Sequence, residues 1–150
     1  MRSIDALKKH RALAIRAVTG IKPEQLVTVP DGFNNNILWN VGHALVTQEI
    51  LTYKLSGLTP QVSDTLIQQC SRGTSPSNWT ETPDVDEILR ELEASPKRLA
   101  TDYADGRFSG YQRYTTSLGV ELRDIEEAIA FNNFHEGVHL GVVLALRKLV

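Results

Sequence analysis

NNILWNVGHALVTQEILTYKL, residues 35–55, is the stretch that decides the fold. Its apolar and aromatic side chains recur at spacings of three and four, which is the period of an α-helix. One stripe contains Trp39, His43 and Val46, and a second runs through Val41. A helix that is apolar on more than one side is buried among other helices. The stretch therefore predicts a helix that lies deep in a helical bundle.

Three further segments of the chain show the same helical period. Gly20 ends the first of them, as glycine often does after a helix. Thr82 and Pro83 have the residue types of an N-cap and a first helical residue for the next one. Pro96 predicts a kink or a restart inside that segment. The three segments are residues 3–19, 83–104 and 121–149.

A long polar connection, residues 58–82, separates the second and third helical segments, with a short helical turn predicted at 62–70. A helix of twenty residues is about 30 Å long, and a connection of this length can return along it. The two helices it joins can therefore run parallel, which predicts an up-down-down-up four-helix bundle with one long crossover. No alternating pattern supports a sheet. We expect a single all-α domain over residues 1–150.

The composition is that of an ordinary globular chain, with 41% hydrophobic and 23% charged residues. Sixteen basic and 18 acidic residues give a net charge of −2, so no electrostatic footprint for nucleic acid is visible. The N-terminal region lacks the apolar core of a signal peptide, and no apolar stretch approaches the ~20 residues that cross a bilayer. We expect a cytoplasmic protein that binds neither nucleic acid nor a membrane.

Cys70 is the only cysteine, which excludes an internal disulfide and a cysteine-rich metal site. It lies in the crossover with no adjacent histidine or basic cluster. This position favours a semi-exposed thiol that is not a nucleophile.

Three of the four histidines are predicted to share one interior site. His135 and His139 are four residues apart and lie on one helix face, and His43 holds an equivalent place on the second segment. Each buried imidazole needs partners for both nitrogens. Hydrogen bonds in the core are one solution, and a divalent metal that takes one nitrogen from each ring is the other. Three ligands without a fourth are typical of a catalytic metal site with an open water position.

Residues 135–139, HEGVH, also match the H-E-x-x-H pattern of zinc peptidases, in which the glutamate is the general base. No His, Glu or Asp follows His139, so the downstream third ligand of that class is missing. We therefore do not favour a peptidase. Two interpretations of Glu136 stay open. It either orients a ligand or moves a proton, or it is an ordinary carboxylate on the flank of a helix.

Three polar side chains lie near the predicted site. Asn132, one turn before the histidine pair, either contacts the substrate or a ligand, or fills a polar gap in the core. Arg11 lies among apolar residues of the first segment. It either faces a pocket that takes an anionic substrate group or extends to solvent. We interpret His10 as a histidine at the core boundary and not as a fourth ligand.

WNVGHALVTQEI at 39–50 and FNNFHEGVHLGVVLALRKL at 131–149 resemble the DinB-like superfamily. The resemblance implies a four-helix bundle with up-down-down-up topology, often dimeric, and a metal held by three histidines. By motif position these are His43, His135 and His139. Relatives with known activity include thiol-dependent S-transferases and a maleylpyruvate isomerase.

The resemblance implies one divalent ion (Zn, Ni, Fe or Mn) and a low-molecular-weight thiol as cosubstrate. We expect a transferase-like or hydrolase-like enzyme, most simply one that activates the thiol for attack on a small electrophile. Val142 stands where relatives often have Gln. This difference weakens the assignment of any particular relative's substrate to this chain. The alternative is a metal-binding or catalytically silent bundle that serves as an interaction or structural protein.

Overall fold

The computed structural model describes residues 1–150, and helices account for 62% of them. Four helices are long and two are short, and two 3-10 turns lie in the connections between them. None of the helices combines the length and the hydropathy that a membrane crossing needs. The helices are α1 Arg2–Val18, α2 Pro23–Val27, α3 Ile37–Thr52, α4 Asp64–Cys70, α5 Val85–Ala104 and α6 Ile125–Leu146, with 3-10 turns at Lys54–Ser56 and Pro76–Asn78.

Side-chain caps fix where the long helices begin. The side chain of Asn36 accepts a hydrogen bond from the backbone N–H of Trp39 at 2.8 Å, which starts α3. Asp84 caps α5 in the same way, so the prediction of Thr82 as its N-cap was wrong. An aspartate directly before the first turn also suits the positive end of the helix dipole.

Pro96 does not divide α5, which is assigned as one helix of 20 residues. The predicted restart is therefore not observed. Proline removes one intrahelical hydrogen bond, but Pro96 is buried together with its neighbour Ser95. Packing against the rest of the molecule supports the helix across this position.

The chain has one small element of sheet. Strands β1 Tyr114–Thr115 and β2 Glu121–Leu122 pair antiparallel, with Tyr114 opposite Leu122. The fourth helical segment was predicted from residue 121, but residues 121–122 are extended and Asp124 caps α6. The fold is otherwise helical, as the sequence predicted.

The long helices share an apolar core. α3 packs most extensively against α6, while α1 packs against α5 and α6. The largest group of buried apolar side chains has 15 members and includes Val18, Val41, Ile88 and Val143, one from each long helix. A second group of five lies around Tyr53, which is 1% exposed. Its other members are Ile4, Leu7, Leu99 and Ile129.

Candidate metal centre

Helices α3 and α6 bring three histidines together. His43 projects from α3, and His135 and His139 project from successive turns of α6. One ring nitrogen from each lies within 4.8 Å of the others. The ring centroids are 5.1 Å apart for His43 and His135, 4.8 Å for His43 and His139, and 4.5 Å within the α6 pair. Three side chains at this spacing can hold one metal ion.

Two of the rings are oriented by hydrogen bonds from Nδ1. His43 Nδ1 lies 2.7 Å from the backbone oxygen of Cys70, and His139 Nδ1 lies 2.8 Å from Oδ1 of Asn40. Since both partners are carbonyl oxygens, each Nδ1 carries the proton and each Nε2 keeps its lone pair. Such hydrogen bonds are the usual support of a metal-binding histidine. Trp39 stacks on His43, with ring centroids 4.5 Å apart and planes 7° apart.

His135 shows that the protein alone does not satisfy this cluster, because its Nδ1 is buried and has no hydrogen-bond partner. Burial, followed by the charges of the neighbouring His139 and His43, lowers the pKa of His135 to about 3. Burial, followed by the charge of His43, also lowers the pKa of His139 to about 4. The pKa of His43 is lowered by burial as well. All three rings are therefore neutral at pH 7, which is the form that binds metals.

A cavity of about 510 Å³ adjoins the three histidines. Apolar side chains from α3, from α6 and from the segments beside them form about half of its wall, and hydroxyl groups and one arginine also line it. The volume is in the range of small-molecule binding sites. Besides the histidines, the lining residues are Thr47, Ile50, Leu51, Leu55, Arg72, Tyr114, Thr116, Ser117, Leu118, Phe131, Phe134 and Val138.

Arg11 and Glu136 form an ion pair in the core. Arg11 is 1% exposed, so the alternative that it extends to solvent is wrong. Its Nε and Nη2 donate to the two oxygens of Glu136, both at 2.7 Å, and Nη2 also donates to Gln48 at 2.9 Å. Asn132 Nδ2 donates to Glu136 Oε1 at 2.7 Å.

This network determines what Glu136 can do. The carboxylate is 5% exposed, so it is not an ordinary carboxylate on the flank of a helix. Both of its oxygens accept hydrogen bonds from Arg11, and it does not line the 510 Å³ cavity. A general base must reach the proton that it takes. The H-E-x-x-H match is therefore not arranged as a peptidase site requires.

The burial of Cys70 differs from what the sequence predicted. The side chain was predicted to be semi-exposed, but it is fully buried at 0% exposure. It packs against α3 at Gly42, where an added Cβ would lie 2.7 Å from Cys70 Sγ. Burial raises the pKa of the thiol to about 12. Cys70 contributes its backbone oxygen to His43 and offers no reactive thiolate.

Sequence reasoning missed Asn40 and Arg72. Asn40 precedes His43 by three residues, so helical spacing places the two on one side of α3. That spacing is a usable signal for Asn40. Arg72 follows α4 in the crossover, where no local pattern indicates which cavity it lines. His10 stays outside the cluster, as predicted, and its Nδ1 is buried without a partner.

The protein is mostly helical, and its three clustered histidines form a candidate metal site. The family model of the DinB superfamily matches residues 6–143. The chain belongs to the DinB superfamily. No match was found among curated proteins.

Proposed function

We propose that the protein is a metal-dependent enzyme in which His43, His135 and His139 hold one divalent ion. The reaction we propose is transfer of a low-molecular-weight thiol to a small electrophile. The observation that carries the proposal is the cluster itself: three neutral imidazoles lie within 4.8 Å beside a cavity. A purely structural bundle has no need of three rings whose polar atoms remain partly unsatisfied.

In this proposal, different residues of the chain bind the metal, orient its ligands and line the cavity. The histidines supply three nitrogen ligands, and Asn40 and the Cys70 carbonyl orient two of the rings. When bound, the divalent ion lowers the pKa of a thiol and so supplies the nucleophile. The apolar side chains of the cavity wall give the electrophile a surface to bind against. The thiol comes from a cosubstrate, because Cys70 is buried and its pKa is raised.

We also infer that the long helices run up-down-down-up. In the smaller apolar group, Ile4 near the start of α1 meets Leu99 near the end of α5 and Ile129 near the start of α6. The larger group joins the opposite ends, with Val18 late in α1 and Ile88 early in α5. This arrangement supports one long crossover between α3 and α5. A single domain over 1–150, a homodimer and a cytoplasmic location stay predictions.

Two measurements test the proposed function. We expect the purified chain to contain about one first-row metal ion per molecule and to melt at a lower temperature after chelation. His43→Ala should abolish stoichiometric metal binding, whereas His10→Ala, a histidine outside the cluster, should retain it. An unchanged melting temperature after chelation, together with no bound metal, would contradict the proposal.

Activity separates an enzyme from a protein that only binds metal. Consumption of monochlorobimane with a panel of low-molecular-weight thiols should be faster with the parent protein than with His43→Ala. The His10→Ala protein should match the parent. If the parent binds metal but all three proteins give the uncatalysed rate, the chain is a metal-binding bundle without this activity.

A further inference from the structure

The 510 Å³ cavity has a positive charge on its wall and no negative one. Arg72 is the only charged side chain that lines it, because the three histidines are neutral at pH 7, and no aspartate or glutamate lines it. Arg72 forms no ion pair with the protein. A bound divalent ion would add further positive charge. The cavity therefore attracts anionic groups and repels cations.

The cavity wall is also unusually apolar where it meets solvent. Leu118, Phe134 and Val138 are 63%, 55% and 52% exposed, and all three line the cavity. Phe131 contacts Phe134, with ring centroids 6.0 Å apart, and is itself partly buried. Exposed apolar side chains grouped at a concave site are typical of ligand-binding surfaces.

We propose that the ligand of this cavity is an amphiphilic anion, with an apolar body of about aromatic-ring size and a carboxylate or sulfonate that pairs with Arg72. The planar guanidinium matches both groups, because its N–H donors bind two oxygens side by side. The apolar body lies against the side chains from α6, and Thr47, Thr116 and Ser117 add hydroxyl groups to the cavity wall. This inference rests on the proposed function, since it assigns the substrate class of that same site.

The test uses two probes that differ in one group. 8-Anilinonaphthalene-1-sulfonate has an apolar body and a sulfonate, and N-phenyl-1-naphthylamine has the same rings without the sulfonate. Fluorescence titrations of the full chain, zinc-loaded and chelated, give the Kd of each. We expect Arg72→Gln to weaken binding of the sulfonate probe about threefold to tenfold and to leave the neutral probe within about twofold.

Two further variants show whether a change in the Kd of the probes arises at the cavity. Arg16→Gln removes an exposed arginine of α1 that also forms no ion pair and does not line the cavity, so it should bind both probes like the parent. Phe134→Ser removes part of the apolar wall and should weaken both probes together. Arg72 and Phe134 are exposed, so neither change threatens the fold.

The outcomes separate this inference from the proposed function. If Arg72→Gln affects both probes equally, affects neither, or matches Arg16→Gln, the anionic assignment is wrong even in a protein that binds metal. A chain that binds no metal contradicts the proposed function, while the titrations of the chelated protein still decide the role of Arg72.

Discussion

Asn40 orients one histidine of the cluster through hydrogen bonds of its side-chain amide. Its Oδ1 accepts from His139 Nδ1 at 2.8 Å, and its Nδ2 donates to the backbone oxygen of Asn36 at 2.8 Å. The second hydrogen bond fixes which way the amide faces, and the first then fixes the tautomer and the plane of the His139 ring. Because Asn40 is 2% exposed, water does not readily replace it. Asn40 is therefore a positioning residue.

We predict that Asn40→Ala lowers metal affinity about 10- to 100-fold, the usual effect of losing such a hydrogen bond. Competition with a zinc-binding dye measures the Kd. Asn40→Asp keeps an oxygen acceptor for His139 and should retain most of the affinity. Asn133→Ala removes an asparagine of α6 that bonds the backbone of Ser3, so it should lower stability without changing the Kd. Equal affinities for Asn40→Ala and the parent would refute the role.

Helices were the most predictable elements of this chain. Their apolar period is a local property, so the segments around α1, α3, α5 and α6 could be placed within a few residues. The same local rule placed His135 and His139 on one face. Whether that face meets His43 depends on which helices become neighbours, and from the sequence this contact was an expectation only.

Apart from the histidine cluster, contacts between distant elements could not be predicted. Arg11 and Glu136 are 125 residues apart, and their pairing requires α1 to lie against α6 in one register. The Cys70 contact to His43 uses a backbone carbonyl, a group that every residue has, so no residue type indicates it. The helix α2 was also missed, because its proline and its short length resemble a turn.

Arg11 connects all four long helices. Besides Glu136 of α6, the guanidinium donates to Gln48 of α3 at 2.9 Å and, more weakly, to Ser95 of α5 at 3.4 Å. The side chains of Arg11 and Glu136 are 2% and 5% exposed. Removing one partner of such a pair leaves a buried charge without compensation.

We predict that Arg11→Met lowers the free energy of unfolding by about 3–5 kcal/mol. Urea denaturation of the metal-free protein measures it. The double variant Arg11→Met/Glu136→Gln should recover part of this loss, because the remaining amide is neutral. Lys97→Met breaks an ion pair whose side chains are 67% and 69% exposed, so it should lower the free energy of unfolding far less than Arg11→Met. A similar loss for Arg11→Met and Lys97→Met would show that the pair does not hold the helices together.

At the scale of the whole molecule, the histidine cluster couples stability to pH. Burial lowers the pKa of His135 to about 3 and of His139 to about 4, against about 6.5 in an unfolded chain. Between these values the unfolded state binds more protons than the folded state. The free energy of unfolding must therefore fall as the pH drops below about 6.5, by at most about 1.4 kcal/mol per pH unit for each histidine.

We predict that the metal-free protein loses stability steadily from about pH 6.5 to pH 4, and that His135→Gln/His139→Gln loses less over the same range. Urea denaturation at half-unit pH intervals gives the two curves. Glu49, whose pKa is raised by burial, contributes with the opposite sign but equally in both proteins, so their difference isolates the histidines. Asn133→Ala changes no titrating group and should shift the parent curve without changing its shape. Parallel curves for the parent and the double variant would mean that the cluster does not resist protonation, and a metal would then have to displace protons from the histidines in order to bind at pH 5.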